Sequence, residues 1–248
     1  MLIPVRDLQR VFNVNPQSIL HVGAHLAEEA PAYIEANWGT AGVFWLEVQP
    51  DLVAELKKEF DPEKHVVIEA AVWSQSGIKM QFNRMTNSQS SSLLDLGQHA
   101  KYYPEIELQE KVEITTKRID EIFENDQKFD LVNLDLQGAE LEALKGMGQL
   151  LENVSWIYSE VNWKELYKGC AIISEIDVFL EQNGFLRVAT FREPFVGWGD
   201  ALYIRIEEFN KLSKIIVFMW RIESFFQKQV RLLRRLISKT FRFLTQSK

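Results

Sequence analysis

The sequence predicts an α/β protein built on a doubly wound, mostly parallel sheet. Three observations carry that prediction. Short apolar runs alternate with helix-forming segments up to residue 75 and again from 129 to 188, the rhythm of βαβ units. Ile19-Leu20-His21-Val22 stops at Gly23 and helix-forming residues follow, a strand, turn and helix of the kind that opens a nucleotide-type site. Phe44-Trp45-Leu46 ends in Glu47, 24 residues after Gly23, and dinucleotide folds place a ribose-binding carboxylate about 20 residues past the glycine turn.

Taken in order, residues 5–13 suit a short helix that Pro16 closes before a strand at 18–22. The helix after Gly23 is expected to start at once and run to about Asn37, where Trp38-Gly39-Thr40 breaks the pattern. A strand at 43–47 precedes a helix opened by Pro50-Asp51, with Leu52, Val53, Leu56 and Phe60 at helical spacing. Val66 to Trp73 reads as a third strand. From 77 to 117 the rhythm changes: 78–82 and 112–116 are strand-like, and polar Asn87 to Ser92 lies between them. That polar stretch suits a solvated turn as well as a ligand loop beside a rigid sheet. After a short helix at 119–123, Phe129 to Asp135 is a buried strand that turns at Gly138 into a helix over 139–151. A strand at 154–161 and a helix at 173–183 follow. The last two strands, 184–188 and 201–205, are joined by a loop and predict a hairpin at one sheet edge.

With 248 residues, 46% of them apolar, the chain can bury one sizeable core. Residues 1–208 are expected to form that domain and 209–248 an appendage. The net charge of −7 is uneven: residues 209–248 hold ten Lys/Arg and one Glu, net +9, which leaves −16 on the rest. So acidic a body excludes general nucleic-acid binding, which needs clustered Lys and Arg. Cys170 is alone, so no intrachain disulfide forms and a reducing, cytoplasmic setting is the simpler expectation. No run resembles a signal peptide or reaches the roughly 20 uncharged residues of a membrane span.

The turn at Gly23 argues against a dinucleotide. Pyrophosphate wants several glycines and an uncrowded positive helix end. Here one glycine is followed by Glu28 and Glu29, which suit a helix dipole but repel phosphate. A ligand with a ribose, a positive charge and no phosphate fits better, and S-adenosylmethionine has that chemistry. Because doubly wound sheets bind ligands at the carboxyl ends of their strands, Asp135, Gln137 and Glu140 are expected on the same rim as Gly23 and Glu47.

Together Val22-Gly23-Ala24-His25, Glu47, Ser90-Ser91-Ser92-Leu93, Asp135-Leu136-Gln137-Gly138-Ala139-Glu140, Tyr158-Ser159-Glu160, Gly184-Phe185 and the closing Gly199-Asp200 resemble the FkbM family of S-adenosylmethionine-dependent methyltransferases. The likeness spans about 18–206. It implies a class I methyltransferase (Rossmann-like) fold of seven strands, six parallel and the last antiparallel, and O-methylation of a sugar, glycan or related small molecule. It also implies a cofactor site of Val22, Gly23, Ala24, His25, Glu47, Val48, Ala71, Ser92, Asp135 and Gln137. The chain departs from the family pattern twice. Ala27 stands where a second glycine is frequent, which narrows the approach to the methionine end of the cofactor. Gln137 stands where glutamate is frequent, so position 137 is not an acid or base.

Methyl transfer from a sulfonium is an in-line displacement, so positioning supplies most of the catalysis, and a base helps a neutral hydroxyl attack. Asp135, Glu160 and His99 are the catalytic candidates. Each has a plain alternative: a strand-end Asp often caps the next helix, and a lone His in a polar helix is usually on the surface. His21 is expected to be packed in its strand. Asp135, Glu160 and Asn162 offer oxygens to Mg²⁺, but no His/Asp cluster has metal spacing and no metal is expected. From Leu212 to Leu244 an apolar stripe faces basic residues, the pattern of a long amphipathic helix on a membrane surface or a protein partner. Its heptad-like spacing also permits a second copy of the chain. A cofactor-binding module without turnover, working through that tail, is the alternative function. A nucleotide-dependent oxidoreductase is disfavoured by the acidic, glycine-poor turn.

Overall fold

The computed structural model describes residues 1–123 and 127–214, together with Phe218. Ten strands form two sheets among these residues. The main sheet contains β1 (Ser18–Val22), β2 (Gly42–Glu47), β3 (His65–Glu69), β7 (Leu131–Leu134), β8 (Trp156–Asn162), β9 (Phe185–Arg192) and β10 (Trp198–Arg205), in the order β3-β2-β1-β7-β8-β10-β9. β10 lies between β8 and β9 and runs antiparallel to both; the other neighbouring pairs are parallel. Seven strands with an antiparallel last one, carried in an edge hairpin, match the expected architecture.

The period-two alternation of these strands supplies both layers of the core. Ile19, Val43, Trp45, Leu131 and Leu202 face α1 (Val5–Phe12), α2 (Ala30–Glu35) and α3 (Pro50–Glu59). Leu20, Leu46, Val132, Leu134, Ile157 and Tyr203 join the opposite cluster with α5 (Ile119–Ile122), α6 (Glu140–Lys145) and α7 (Ile173–Gln182). Burying each large aliphatic side chain in these layers contributes about 1.5–3 kcal/mol.

Three expected elements differ. The helix after Gly23 does not start at once: α2 begins at Ala30, with a proline in its first turn. His25 (φ 48°) and Ala27 (φ 54°) adopt left-handed backbone, which an α-helix cannot contain. The expected strand 66–73 divides into β3 and β4 (Ala71–Val72), and β4 pairs with β6 (Leu108–Lys117) instead of the main sheet. With β5 (Lys79–Met85), β4 and β6 make a three-stranded sheet of order β4-β6-β5, which explains the changed rhythm after residue 77. The expected helix 139–151 divides into α6 and a 3₁₀ segment at Gly148–Asn153, which opens on Gly148 at φ 50°.

A four-residue helix, α4 (His99–Tyr102), flanks the functional region, and α8 (Ile206–Phe209) ends the described body. Phe209 and Leu212 pack on the first core layer. From residue 215 onward, Phe218 apart, the predicted helical tail lies outside the described residues, and so do its membrane, partner and coiled-coil readings. Among the described residues no helix is long and apolar enough to cross a membrane.

Candidate functional site

A cavity of about 730 Å³ opens at the carboxyl ends of β1, β2, β7 and β8, where the antiparallel β10 begins. Its floor is the glycine turn. The Gly23 and Ala24 N–H groups both donate to Leu46 O, at 2.9 and 3.0 Å. Gly23 sits at φ 84°, and a Cβ there would lie 1.9 Å from Asp135 O. Only glycine lets the β1 and β7 loops approach this closely. Val22, Gly23, Ala24, His25, Glu47, Val48, Ala71, Ser92, Asp135 and Gln137 all line this one cavity, as do His99 and Glu160. Ala27 does not line it. Its side chain is buried in the core, so the expected narrowing of the site by Ala27 is not seen.

Glu47 ends β2 with its carboxylate buried and aimed back at the backbone. Oε2 accepts from His25 N at 2.9 Å, and Oε1 accepts from Val48 N and Gln49 N, both at 2.9 Å. A carboxylate has about four lone-pair sites, so Glu47 locks the glycine turn to α3 and retains capacity for one more donor.

The second centre is the turn after β7. Gln137 is in the left-handed region (φ 52°), which aims its amide between two acids. Nε2 donates to Asp135 Oδ1 at 2.6 Å and to Glu160 Oε2 at 3.0 Å, and Oε1 accepts from the Tyr167 hydroxyl at 2.6 Å. Glu140 faces away from the cavity and closes the turn: Oε1 accepts from Leu136 N at 2.9 Å and from Gly138 N at 3.1 Å. Burial raises the proton affinity of all three acids. Asp135 is pushed up to about 6 by burial, with Asp200 and Glu29 adding to it against the Gln137 hydrogen bond. Its carboxyl is exposed in surface terms, but to the interior of the cavity, so it lacks full hydration. Glu140 reaches about 7 despite its backbone hydrogen bonds. Glu160 is held well above the carboxylate range by burial and then by Asp135 and Glu140. Asp135 makes no side-chain cap to α6, which removes its plain structural alternative.

The three cavity histidines differ in environment. His21 is packed in β1 as expected, with Tyr33 Oη and Asn133 Nδ2 each 3.3 Å from its Nδ1, and burial lowers its pKa to about 4. His25 bridges two loops: Nδ1 lies 2.6 Å from Glu28 Oε1 and Nε2 lies 2.8 Å from Ser88 Oγ. His99 is not the surface residue that its polar surroundings suggest. It is 5% exposed, with its ring centroid 4.9 Å from that of Tyr103 and 5.3 Å from that of Tyr167. Its Nδ1 has no hydrogen-bond partner, and burial lowers its pKa, so the ring is neutral at pH 7.

The polar stretch 87–92 forms part of the lid over the cavity. Ser92 Oγ donates to Gln137 O at 2.8 Å and accepts from Leu94 N at 3.0 Å, so it stitches the lid to the β7 turn. Sequence reasoning did not find Tyr167, Tyr103 or Trp198 as cavity residues. Tyr167 lies in the irregular 163–172 stretch, where no periodic pattern points to a buried position. Asp200 and Tyr158 were visible only as members of a family pattern; in the fold the Tyr158 hydroxyl donates to Asp200, and both line the cavity. Asn162 is buried without lining it. Among the described residues, no group of three or more His, Cys, Asp or Glu is arranged to hold a metal.

Comparison with known proteins agrees with the sequence resemblance. The model of the methyltransferase FkbM domain matches residues 21–187. The 2-O-methyltransferase NoeI of Sinorhizobium fredii (strain NBRC 101917 / NGR234) is 23% identical over 161 residues, which cover 61% of this chain and 65% of that protein. The chain thus spans less than two thirds of the length of this curated relative. A methyltransferase FkbM structure from Methylobacillus flagellatus KT is 13% identical, covering 75% of this chain and 43% of that one at a TM-score of 0.49. Magnesium protoporphyrin IX methyltransferase (ChlM) from Synechocystis PCC 6803 with bound SAH is 13% identical, covering 81% and 80% at a TM-score of 0.46. Structural likeness at that level decides nothing about the site; the match of the family model over 21–187 does the assigning, and the chain belongs to the FkbM family of S-adenosylmethionine-dependent methyltransferases.

Proposed function

We propose that the protein transfers the methyl group of S-adenosylmethionine to a hydroxyl of a sugar, glycan or related small molecule. One observation carries this reading: the cavity at the strand ends joins a close-packed glycine turn to a wall of carboxyls, with no Lys or Arg lining it among the described residues. That donor set suits a ribose and a sulfonium and opposes a pyrophosphate. Gly23, Ala24, Glu47, Val48, Ala71 and Asp135 would hold the cofactor, with the free capacity of Glu47 offered to a ribose hydroxyl. When bound, the cofactor supplies an electrophilic methyl group on sulfur.

The chain's own residues then have to orient a hydroxyl and take its proton. His99 suits the proton transfer, since its ring is neutral, lines the cavity and stands between two tyrosines. Asp135 and Glu160, joined through Gln137, set the polarity of the opposite wall and are the other catalytic candidates. Tyr103, Tyr167 and Trp198 line the cavity and would supply aromatic contact to an acceptor. Transfer to oxygen is supported by the likeness to the 2-O-methyltransferase NoeI.

The test is calorimetric titration of the full chain with S-adenosylhomocysteine, wild type beside Glu47→Ala. Saturable binding that weakens by at least about tenfold, about 1.4 kcal/mol, in the variant is expected. A folded wild type that does not bind refutes the methyl-transfer reading.

A further inference from the structure

We infer that the acceptor group entering this cavity carries no phosphate, sulfate or carboxylate, so the enzyme methylates an uncharged polyhydroxy acceptor and refuses its anionic derivatives. The inference rests on the methyl-transfer reading and adds the charge class of the second substrate.

The lining itself is the first observation. Asp135, Glu160 and Asp200 lie close enough to raise one another's proton affinity, Glu105 stands near His99, and among the described residues no lining residue is Lys or Arg. The Met1 ammonium reaches the lining already paired with Glu29 at 2.9 Å. An anionic group brought into this space would add negative potential to acids whose proton affinity is already raised and would meet no free cationic side chain among the described residues, in surroundings that screen poorly.

Backbone capacity is the second. Proteins that bind oxyanions without basic side chains use clustered N–H groups at turns and helix starts. The chain's own carboxylates already occupy such groups here. Glu47 takes the N–H of His25, Val48 and Gln49, and Glu140 takes those of Leu136 and Gly138. The glycine turn offers no helix end either, because α2 starts only at Ala30 and Gly23 N and Ala24 N are spent on Leu46 O. The backbone donors of the glycine turn and of the turn after β7 are thus taken.

What the cavity leaves unfilled is neutral. The His99 ring, neutral at pH 7, and the side chains of Tyr103 and Trp198 line the cavity there. Such groups suit a hydroxyl-bearing ring. S-adenosylmethionine is consistent with the same walls, because its sulfonium and ammonium outweigh its single carboxylate.

The test uses matched acceptors with the full-length protein. Methyl glycosides of glucose, galactose, mannose and N-acetylglucosamine are offered beside the 6-phosphate of each and the uronates of the three hexoses, with methyl-tritiated S-adenosylmethionine as donor. Label is expected on at least one neutral glycoside, with kcat/KM at least 100-fold lower for its anionic partners. Label on a phosphate or uronate within threefold of its neutral partner overturns the inference. So does label on none of the set while S-adenosylhomocysteine binds saturably. Absence of S-adenosylhomocysteine binding removes the methyl-transfer reading as well, which separates the two failures.

Discussion

Gln137→Glu tests the bridge between the two cavity carboxyls. The wild-type amide gives its N–H groups to Asp135 at 2.6 Å and to Glu160 at 3.0 Å; glutamate is nearly isosteric but turns the donor into a third acid. Left ionised beside an ionised Asp135, it would be repelled by about 6 kcal/mol at 2.6 Å and an effective dielectric of ~20. The chain has a cheaper route, which is to protonate the new carboxyl. From an ordinary glutamate value of about 4.3, protonation costs about 1.4 kcal/mol per pH unit, hence about 3.7 kcal/mol at pH 7 and about 1 kcal/mol at pH 5. The protonated carboxyl then donates one hydrogen bond where the amide donated two. The sign follows directly. An acid whose folded pKa is raised loses stability as pH climbs above its unfolded value, so the variant's deficit grows from pH 5 to pH 7. At roughly 2–4 °C per kcal/mol for a chain of this size, thermal unfolding should fall about 7–15 °C below wild type at pH 7 and about 2–4 °C below at pH 5. Gln137→Ala removes the bridge without adding a titrating group, and its deficit should vary less over that range. Differential scanning fluorimetry of the three proteins from pH 5 to 8 decides the matter. A Gln137→Glu deficit that stays constant with pH would refute the bridge.

Other outcomes follow from the same geometry. Gly23→Ala forces a Cβ to within 1.9 Å of Asp135 O at φ 84°; the left-handed backbone alone costs about 1–2 kcal/mol, and calorimetry should show S-adenosylhomocysteine binding lost with the displaced turn. Glu140 has its folded pKa raised to about 7, so wild type should lose stability relative to Glu140→Gln as pH rises from its unfolded value to about 7, with the difference constant above that; a wild type that gains stability relative to the variant over that range contradicts the burial argument. His99→Ala should lower kcat by about 10²–10⁴, the usual contribution of a positioned base, while S-adenosylhomocysteine affinity measured by calorimetry stays within a few-fold. Unchanged kcat would remove His99 from the chemistry. Ser88→Ala removes the His25 Nε2 partner at 2.8 Å, and hydrogen exchange of residues 86–92 should quicken if that contact holds the lid.

Much of the molecule was legible in the chain. The short, nearly continuous apolar runs at 18–22, 43–47 and 131–134 mark strands whose two faces must both be covered, which is why a doubly wound sheet follows. Gly23 and Glu47 are local signals of a strand-end site, since one requires backbone freedom and the other a carboxylate at a set distance along the chain. The same local logic misplaced the helix after Gly23 and left His99 open between a catalytic base and a surface residue. Helical propensity cannot register that His25 and Ala27 turn left-handed because Glu47, from the next strand, pins His25 N. His99 is buried by Tyr167, 68 residues away in the sequence, and no periodic pattern encodes that contact.

The sequence by itself thus determined the sheet, the strand ends that carry the site and the acidic character of the body, because these depend on spacing and on residue type within short windows. Only the tertiary structure decided which acids meet: that Gln137 joins Asp135 to Glu160, that Glu47 and Glu140 occupy the backbone donors, and that Tyr167, Tyr103 and Trp198 close over them. Those relations arise where loops from separate strands converge, and side chains that meet there take their pKa values and hydrogen-bond partners from burial and proximity, quantities that exist only once the chain has folded.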